Sequence, residues 1–211
     1  MLHPVYHDVS SEDTVVDMCA APGGKTTHLA QLMNNVGQLV AVEMDRERMK
    51  SLNYNLRRCG VQNTVVLNID ATKISKYDIY PDKILLDAPC SGEGVIREDP
   101  KRKTSKTPGD IKYMMRTQKR LLETAVRSVK PGGYIMYSTC SIAPEENEFV
   151  IQAALDNHDN LSIVPVNDNY GLPGFNRIFG VDLDLELLNA RRYYPHVHDT
   201  EGFFYCLLQK T

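Results

Sequence analysis

The sequence predicts an α/β domain in which helices cover both faces of a mainly parallel sheet. Runs typical of buried strands alternate with segments of helical periodicity along most of the chain. Glycine-containing turns separate several of these segments. With 211 residues, 42% hydrophobic and 24% charged, the chain can form one sizeable core, so a single domain covering residues 1–211 is expected. This composition excludes a disordered chain, a collagen-like chain and a coiled coil.

Each element is predicted from its own local pattern. Short apolar runs predict strands at 14–18, 38–42, 64–69, 83–87, 134–138 and 202–208. Apolar residues spaced three and four apart predict helices at 25–33, 46–58, 117–129 and 144–155. Gly60 is suited to end the second helix, and Pro144 to begin the last. The third and fourth strands have a short connection, where an irregular helix or none is expected, and 156–201 has no assignable pattern.

Several features exclude other classes of protein and site. No apolar run approaches the ~20 residues of a membrane helix, and the first residues lack the pattern of a signal peptide. Five widely spaced cysteines without a CxxC pair indicate neither a disulfide framework nor a zinc site, so no metal is expected. Thiols without an export signal are typical of a reducing compartment, and the cytoplasm is the expected location.

The net charge of −3 conceals a basic segment at 97–130. Eleven Lys and Arg against four acids give this segment a charge of +7, whereas the rest of the chain carries −10. The segment is either a solvated helix face with a charged loop or a surface for a phosphate-bearing partner. Charge alone favours the first interpretation.

Acidic side chains follow the predicted strands at the edge where parallel sheets bind ligands. Asp17, Glu43, Asp70 and Asp87 come at or just after the ends of the first four strands. Glu43 is suited to accept hydrogen bonds from ribose hydroxyls, and Asp70 to meet an adenine amino group. Four carboxylates disfavour a triphosphate, whereas S-adenosylmethionine carries a sulfonium cation and no phosphate. The glycine-rich turn after the first strand allows close approach of a ligand, although such a turn is weak evidence on its own.

Two cysteines, Cys90 and Cys140, follow the fourth and fifth strands, and adjacent parallel strands would bring them to the same edge of the sheet. Free cysteines are usually buried and inert, an interpretation that suits Cys59 and Cys206. A thiolate beside S-adenosylmethionine has a chemical use, because its addition to carbon 6 of a pyrimidine makes carbon 5 nucleophilic enough to be methylated. Asp87 is the nearest candidate acid for ring nitrogen 3.

Several segments together carry a resemblance to a known family. They are 17–26, 87–92, 118–119, 137–141, 144–148, 192–196 and 201–204. With these segments the chain resembles, over nearly its whole length, the RNA cytosine-5 methyltransferases of the Fmu/Sun type (the NOL/NOP/Sun family). The resemblance implies a Rossmann-like methyltransferase fold with a seven-stranded sheet whose last strand, 203–208, pairs antiparallel. It also implies S-adenosylmethionine-dependent methylation of carbon 5 of cytosine in RNA, with transfer RNA favoured over ribosomal RNA.

The resemblance implies roles for single residues as well. Cys140, in the Thr-Cys motif, would be the nucleophile that forms an adduct with cytosine, and Cys90, in the Pro-Cys motif, would assist product release. The residues alone leave the choice between these two thiols open. Asp87 would lie near the cofactor's amino group and the target base. The implied cofactor-binding residues are Cys19, Ala20, Ala21, Pro22, Gly23, Gly24, Lys25, Glu43, Arg48, Asp70 and Asp87. Lys25 either contacts the cofactor or lowers a cysteine pKa, and the sequence does not decide between these roles.

RNA is the expected partner, and the chain is expected to be a monomer without membrane contact. Most members of this family carry an N-terminal RNA-binding extension, expected to be absent or removed here, so a separate RNA-binding domain or protein is a further candidate partner. The resemblance favours contact between the basic segment and RNA. The implied RNA-binding residues are Arg97, Lys101, Arg102, Lys103 and Lys106, with Arg191 and Arg192 as additional candidates.

Two other functions remain as alternatives. A methyltransferase for an amino group or a protein side chain usually has an Asn/Asp-Pro-Pro-aromatic segment after the fourth strand, where this chain has Asp87-Ala88-Pro89-Cys90. Such an enzyme also leaves the paired cysteines unexplained. A catalytically idle RNA-binding module or assembly factor is the second alternative, and the intact Gly-Gly-Lys turn and both cysteines argue against it.

Overall fold

The computed structural model describes residues 9–211, which form two compact units. The first comprises residues 9–87 and Thr124–Met136, and the second comprises Ala88–Glu123 and Tyr137–Thr211. The single domain spanning residues 1–211 stays a prediction. Within residues 9–211, no helix has the length and apolar composition needed to cross a bilayer. The same residues contain no group of three or more His, Cys, Asp or Glu arranged to hold a metal ion.

Parallel strands form the centre of the first unit. Its strands are β1 (Thr14–Asp17), β2 (Gln38–Val42), β3 (Thr64–Leu67), β4 (Lys83–Asp87) and the start of β5 (Tyr134–Thr139), in the order β3-β2-β1-β4-β5. Its helices are α1 (Gly24–Leu32) and α2 (Arg46–Arg58), and an irregular 3₁₀ turn, Ala71–Tyr77, follows β3. β1 pairs in parallel with both β2 and β4. The carboxyl ends of these strands therefore point the same way, as the sequence predicts.

Helix α2 packs against the loop that follows β1. Leu52 and Leu56, four residues apart, lie on one face of the helix. They form a buried cluster with Ala20, Ala21 and Ala41. Burial of each leucine contributes about 1.5–3 kcal/mol. This packing fixes the β1–α1 loop against the helix.

Antiparallel pairing characterises the second unit. Its strands are the end of β5, β6 (Leu161–Ile163), β7 (Leu172–Pro173), β8 (Arg177–Ile178), β9 (Val181–Asp182), β10 (Arg191–Tyr193) and β11 (Phe203–Lys210). β11 pairs antiparallel with β10 and β6, which confirms the orientation predicted for the last strand. The helices are α3 (Arg102–Ser105), α5 (Glu148–Asn157), α6 (Pro195–His198) and α4 (Pro108–Ser128), the last of which ends in the first unit.

The elements differ from prediction in three places. α4 begins at Pro108 rather than at 117, because Thr107 and Asp110 exchange hydrogen bonds that cap its first turn. The predicted helix at 144–155 is divided at Asn147 into a 3₁₀ turn, Pro144–Glu146, and α5. The described residues contain eleven strands, whereas local patterns predicted six and the resemblance implied a seven-stranded sheet. The five additional strands lie in 156–201 and have only two or three residues each, too few to show a periodicity.

Candidate active site

The β1–α1 loop contains two adjacent glycines, one of which leaves the backbone accessible to a ligand. Gly23 has a φ of +106°, a conformation that favours glycine, and a Cβ there would lie 3.0 Å from Leu52 Cδ1. At Gly24, the first residue of α1, an added Cβ would meet nothing within 4 Å. The positive φ therefore favours glycine at position 23, and the neighbouring Gly24 borders open space.

Side chains from β1, α1 and α2 hold this loop. Thr26 Oγ1 donates a hydrogen bond to Asp17 Oδ2 at 2.7 Å, and Arg48 Nη2 donates to the carbonyl of Ala21 at 2.7 Å. Burial raises the pKa of Asp17 to about 6, against the opposing effect of the hydrogen bond from Thr26. Arg48, a predicted cofactor ligand, thus contacts the loop itself.

The two acids predicted to bind the nucleoside part have protein partners. Glu43 is only 3% exposed, accepts a hydrogen bond from the backbone N–H of Asp45 at 2.8 Å, and lies 3.4 Å from Arg48 Nη1. Asp70 caps the 3₁₀ turn after β3, and its Oδ1 accepts hydrogen bonds from the backbone N–H and the hydroxyl of Thr72. Their contacts with ribose and adenine stay predictions.

Lys25 and Asp87 form an ion pair that the sequence did not indicate. Lys25 Nζ lies 2.6 Å from Asp87 Oδ2, and both side chains are largely buried.

The pKa of the Cys19 thiol is raised by burial and by the carboxylates of Asp17, Asp87 and Glu43. Three of the four predicted strand-end acids therefore lie close to one thiol, as the strand order requires.

Cys90 and Cys140 lie together in the second unit, as predicted. Their Sγ atoms are 3.1 Å apart, and both residues are half-buried and free of disulfides. Backbone hydrogen bonds of 2.9 Å explain the approach, from Ala88 to the carbonyl of Ser138 and from Gly94 to that of Cys140. The hydrogen bond with Cys140, together with burial, raises the pKa of the Cys90 thiol well above its ordinary value. The Cys90 thiol therefore ionises less readily than an ordinary cysteine.

Beneath Cys90 lies a buried polar network. Glu146 is fully buried, and its Oε1 accepts hydrogen bonds from the backbone N–H of Ser91 at 2.9 Å and from Gln118 Nε2 at 3.1 Å. Gln118 Nε2 also donates to the carbonyl of Pro89 at 2.9 Å. The family resemblance included Gln118 and Glu146 but implied no role for them. The only signal in the sequence was that both residues belong to segments that carry the resemblance.

A second network holds the backbone at Cys140. Thr139 Oγ1 donates to Asn147 Oδ1 at 2.6 Å, and Asn147 Nδ2 donates to the carbonyl of Ser141 at 3.0 Å. All three side chains are fully buried. These contacts account for the interruption of the predicted helix, because Asn147 has φ −116° and ψ −98° instead of helical angles.

The predicted RNA-binding residues differ in their surroundings. Arg97 Nη1 lies 2.7 Å from Asp199 Oδ1, and both side chains are exposed. Lys101 is exposed and Lys106 is half-buried. The side chains of Arg102 and Lys103 lie outside the described part of the chain. Exposed ion pairs contribute little to stability, so the pairing of Arg97 leaves its contact with phosphate feasible.

The structure contradicts two further expectations, the contact of Arg192 with RNA and the burial of Cys59. Arg192 is 1% exposed and donates to both carboxylate oxygens of the buried Glu148, so it is not available to RNA. Arg191 is half-buried and donates hydrogen bonds to the backbone carbonyls of Asp168 and Leu188, and its contact with RNA stays a prediction. Cys59 is exposed because it directly follows the last turn of α2, whereas Cys206 is buried as predicted.

The chain is similar to known RNA methyltransferases. It is 44% identical over 202 residues to the mouse (Mus musculus) 28S rRNA (cytosine-C(5))-methyltransferase, covering 94% of this chain and 25% of that protein. It is 36% identical over 203 residues to the tRNA (cytosine(72)-C(5))-methyltransferase of Pyrococcus horikoshii, covering 94% of this chain and 47% of that protein. The chain therefore spans between a quarter and about half the length of these relatives.

Solved structures agree with the sequence matches. The structure of NSun6 from Pyrococcus horikoshii with SFG matches with a TM-score of 0.85 and 35% identity, covering 98% of this chain and 50% of that one. A methyltransferase homolog from Pyrococcus horikoshii matches with a TM-score of 0.88 and 45% identity, covering 99% of this chain and 65% of that one. These matches confirm the predicted Rossmann-like methyltransferase fold. The family model described as 16S rRNA methyltransferase RsmB/F matches residues 5–209. The chain therefore belongs to the RsmB/F methyltransferase family, which confirms the predicted Fmu/Sun relationship.

Proposed function

We propose that this chain transfers a methyl group from S-adenosylmethionine to carbon 5 of cytosine in RNA, through a covalent adduct on Cys140. The observation that carries the proposal is the pair of half-buried thiols, 3.1 Å apart, at Cys90 and Cys140. Methylation of an amino group needs no thiol, whereas carbon 5 of a pyrimidine becomes nucleophilic only after addition at carbon 6. The paired thiols therefore favour carbon methylation over the amino-group alternative.

The first unit has the chemistry expected of an S-adenosylmethionine site. The loop borders open space at Gly24. Lys25 and Arg48 each lie within ion-pair distance of a carboxylate, Asp87 and Glu43 respectively. Cations already paired with acids suit a positively charged ligand better than a triphosphate. When bound, the cofactor supplies an electrophilic methyl group on its sulfonium.

Each predicted cofactor residue has a proposed contribution. Residues 19–25 hold the methionine part, Glu43 accepts hydrogen bonds from the ribose, and Asp70 meets the adenine. Arg48 supports the site from outside by holding the carbonyl of Ala21 and lying beside Glu43.

Cys140 is the nucleophile in the proposed reaction. Its thiolate sulfur forms a bond to carbon 6 of cytosine, the 5,6 double bond shifts to the 4,5 position, and the electrons of the 3,4 double bond bind a proton at ring nitrogen 3. Asp87 is the candidate at ring nitrogen 3, and the ammonium of Lys25, 2.6 Å away, is a source for the proton required there. Carbon 5 then accepts the methyl group. Return of the nitrogen 3 proton to the Lys25–Asp87 pair, loss of the carbon 5 proton to solvent and departure of the Cys140 sulfur from carbon 6 restore the ring. S-adenosylhomocysteine is the other product.

Cys90 assists release of the product. Its sulfur lies 3.1 Å from the sulfur that must leave, close enough to donate a hydrogen bond to the departing thiolate. The raised pKa of the Cys90 thiol supports a donor role, because a thiol that ionises less readily is a poor nucleophile.

The proposed function also concerns which RNA, transfer RNA or ribosomal RNA, is the substrate. The resemblance favours transfer RNA over ribosomal RNA, and the names of relatives include both a 28S rRNA enzyme and a tRNA enzyme. We propose phosphate contacts for five basic residues, namely Arg97, Lys101, Arg102, Lys103 and Lys106. A separate RNA-binding domain or protein is a proposed partner.

Nucleoside analysis tests the proposed function. Purified protein is incubated with labelled S-adenosylmethionine and, separately, with unmodified transfer RNA and ribosomal RNA, and the RNA is then digested to nucleosides. We expect the label in 5-methylcytidine and in at least one of the two pools. Label in N4-methylcytidine or in protein would favour the amino-group alternative. Cofactor binding without any transfer would mean that the reaction needs the proposed separate RNA-binding domain or protein, or that the idle alternative holds.

A further inference from the structure

Glu146 is a buried acid in the second unit for which the proposed reaction has no direct use. Its carboxylate accepts three hydrogen bonds, two from the backbone N–H and hydroxyl of Ser91 and one from Gln118 Nε2. Burial of a carboxylate is costly unless hydrogen bonds compensate for its lost hydration, and here three donors do so. Such an arrangement fixes whatever the donors are attached to.

The donors belong to the loop that carries Cys90. Ser91 directly follows Cys90, and Gln118 also donates to the carbonyl of Pro89, which directly precedes it. Glu146 therefore holds the loop after Cys90 directly and the loop before it through Gln118. These contacts join residues that are 55 and 28 positions apart in the chain.

The same network extends to Cys140. The hydroxyls of Ser91 and Ser141 lie 3.4 Å apart, and Ser141 directly follows Cys140. Ser141 Oγ accepts a hydrogen bond from the backbone N–H of Ala143 at 3.1 Å. Each cysteine is thus followed by a buried serine, and the two serines are neighbours.

Glu146 is itself held in place. Its carbonyl accepts a hydrogen bond from the hydroxyl of Tyr137 at 2.5 Å. Tyr137 is fully buried on β5 and packs edge-on against Phe204 of β11, with 6.3 Å between ring centroids. The backbone of Glu146 is therefore anchored to the strand that leads to Cys140.

We propose that Glu146 is a positioning residue, whose carboxylate holds the Cys90 loop through Ser91 so that the Cys90 thiol faces the Cys140 sulfur. The catalytic part of this proposal rests on the proposed function, in which Cys140 is the nucleophile and Cys90 assists product release. The negative charge of Glu146 also contributes to the raised pKa of Cys90. Glu146 thereby helps Cys90 to remain a hydrogen-bond donor.

Alkylation of the two thiols tests this proposal without RNA or cofactor. The Glu146→Gln variant removes the charge and replaces Oε2, the acceptor of the Ser91 hydroxyl, with an amide nitrogen at nearly constant shape. Wild type and variant are treated with iodoacetamide between pH 6 and 10, and the modified cysteines are quantified by peptide mass spectrometry. We expect Cys90 to react roughly three- to tenfold faster in the variant at pH 7.5, with the midpoint of its pH profile lowered, because a nearby negative charge disfavours the thiolate. Glu145→Gln, an adjacent half-buried acid, is the matched control and is expected to match wild type.

A change of less than threefold at Cys90 in folded Glu146→Gln protein overturns the proposal, as does an equal change in the control. If circular dichroism shows that Glu146→Gln does not fold, the same alkylation assay on the Ser91→Ala variant tests the proposal instead. That variant keeps the charge but removes one hydrogen bond and the contact with Ser141, so at least threefold faster reaction at Cys90 is expected, and an unchanged rate overturns the proposal. Because the assay uses neither substrate, failure of the proposed methyl transfer does not affect its outcome.

Discussion

Replacement of Cys140 by serine is expected to lower methyl transfer to RNA by at least about a thousandfold, because a hydroxyl cannot replace the thiolate that adds to carbon 6. Binding of S-adenosylmethionine, measured by calorimetry, is expected to stay within about twofold of wild type. The physical reason is that the residues proposed to bind the cofactor belong to the β1–α1 loop and the ends of the first strands. Initial rates with saturating RNA and cofactor provide the measurement.

Cys59→Ser is the matched control for this substitution. Cys59 is an exposed thiol after α2, and no role is proposed for it. Its variant is expected to keep wild-type activity, which separates the effect of Cys140 from a general effect of losing a thiol. A Cys140→Ser variant that retains activity within tenfold of wild type would contradict the nucleophile assignment.

Replacement of Arg192 by methionine is expected to destabilise the fold by about 3–5 kcal/mol, because it leaves the carboxylate of Glu148 buried without its charge partner. The guanidinium is 1% exposed and lies 4.4 Å from the ring centroid of Phe175. Glu148 is fully buried and also accepts the backbone N–H of Phe175 at 3.1 Å. Urea unfolding followed by circular dichroism measures the loss.

Arg177→Met is the control for this prediction. Arg177 lies 3.4 Å from Asp182, and both side chains are mostly exposed, at 69% and 82%. Exposed pairs contribute about 0–1 kcal/mol, so this variant is expected to remain close to wild type. Equal stability losses in the two variants would mean that burial of the Arg192–Glu148 pair is not the cause.

Local sequence signals predicted the elements that bear the cofactor residues. The bounds of β2, α2 and β4 match the prediction, because each carries a strong pattern of its own. Asp45 accepts the N–H groups of Glu47 and Arg48 at the start of α2, and Gly60 adopts a positive φ after its end. Strand ends then followed from the parallel order, which is why Cys90 and Cys140 were expected at one edge.

Long-range polar contacts were not predictable in the same way. Glu146 meets Ser91 across 55 positions, and Arg192 meets Glu148 across 44. A charged residue in a sequence is most often exposed, so Arg192 was assigned to RNA contact. Only the tertiary structure brings each buried charge to its partner, and neither pair has a short-range signature.

Formation of a covalent protein–RNA species is the most direct test of the central claim that Cys140 forms an adduct and Cys90 releases it. The Cys90→Ala variant is incubated with RNA substrate and S-adenosylmethionine, then separated on a denaturing gel beside a variant that also carries Cys140→Ser. Loss of the Cys90 thiol removes the hydrogen-bond donor that lies 3.1 Å from the departing sulfur, so release is slowed. We expect a slowly migrating species with Cys90→Ala alone and none with the double variant. Absence of this species from the single variant, or its persistence in the double variant, would mean that Cys140 does not form an adduct that Cys90 releases.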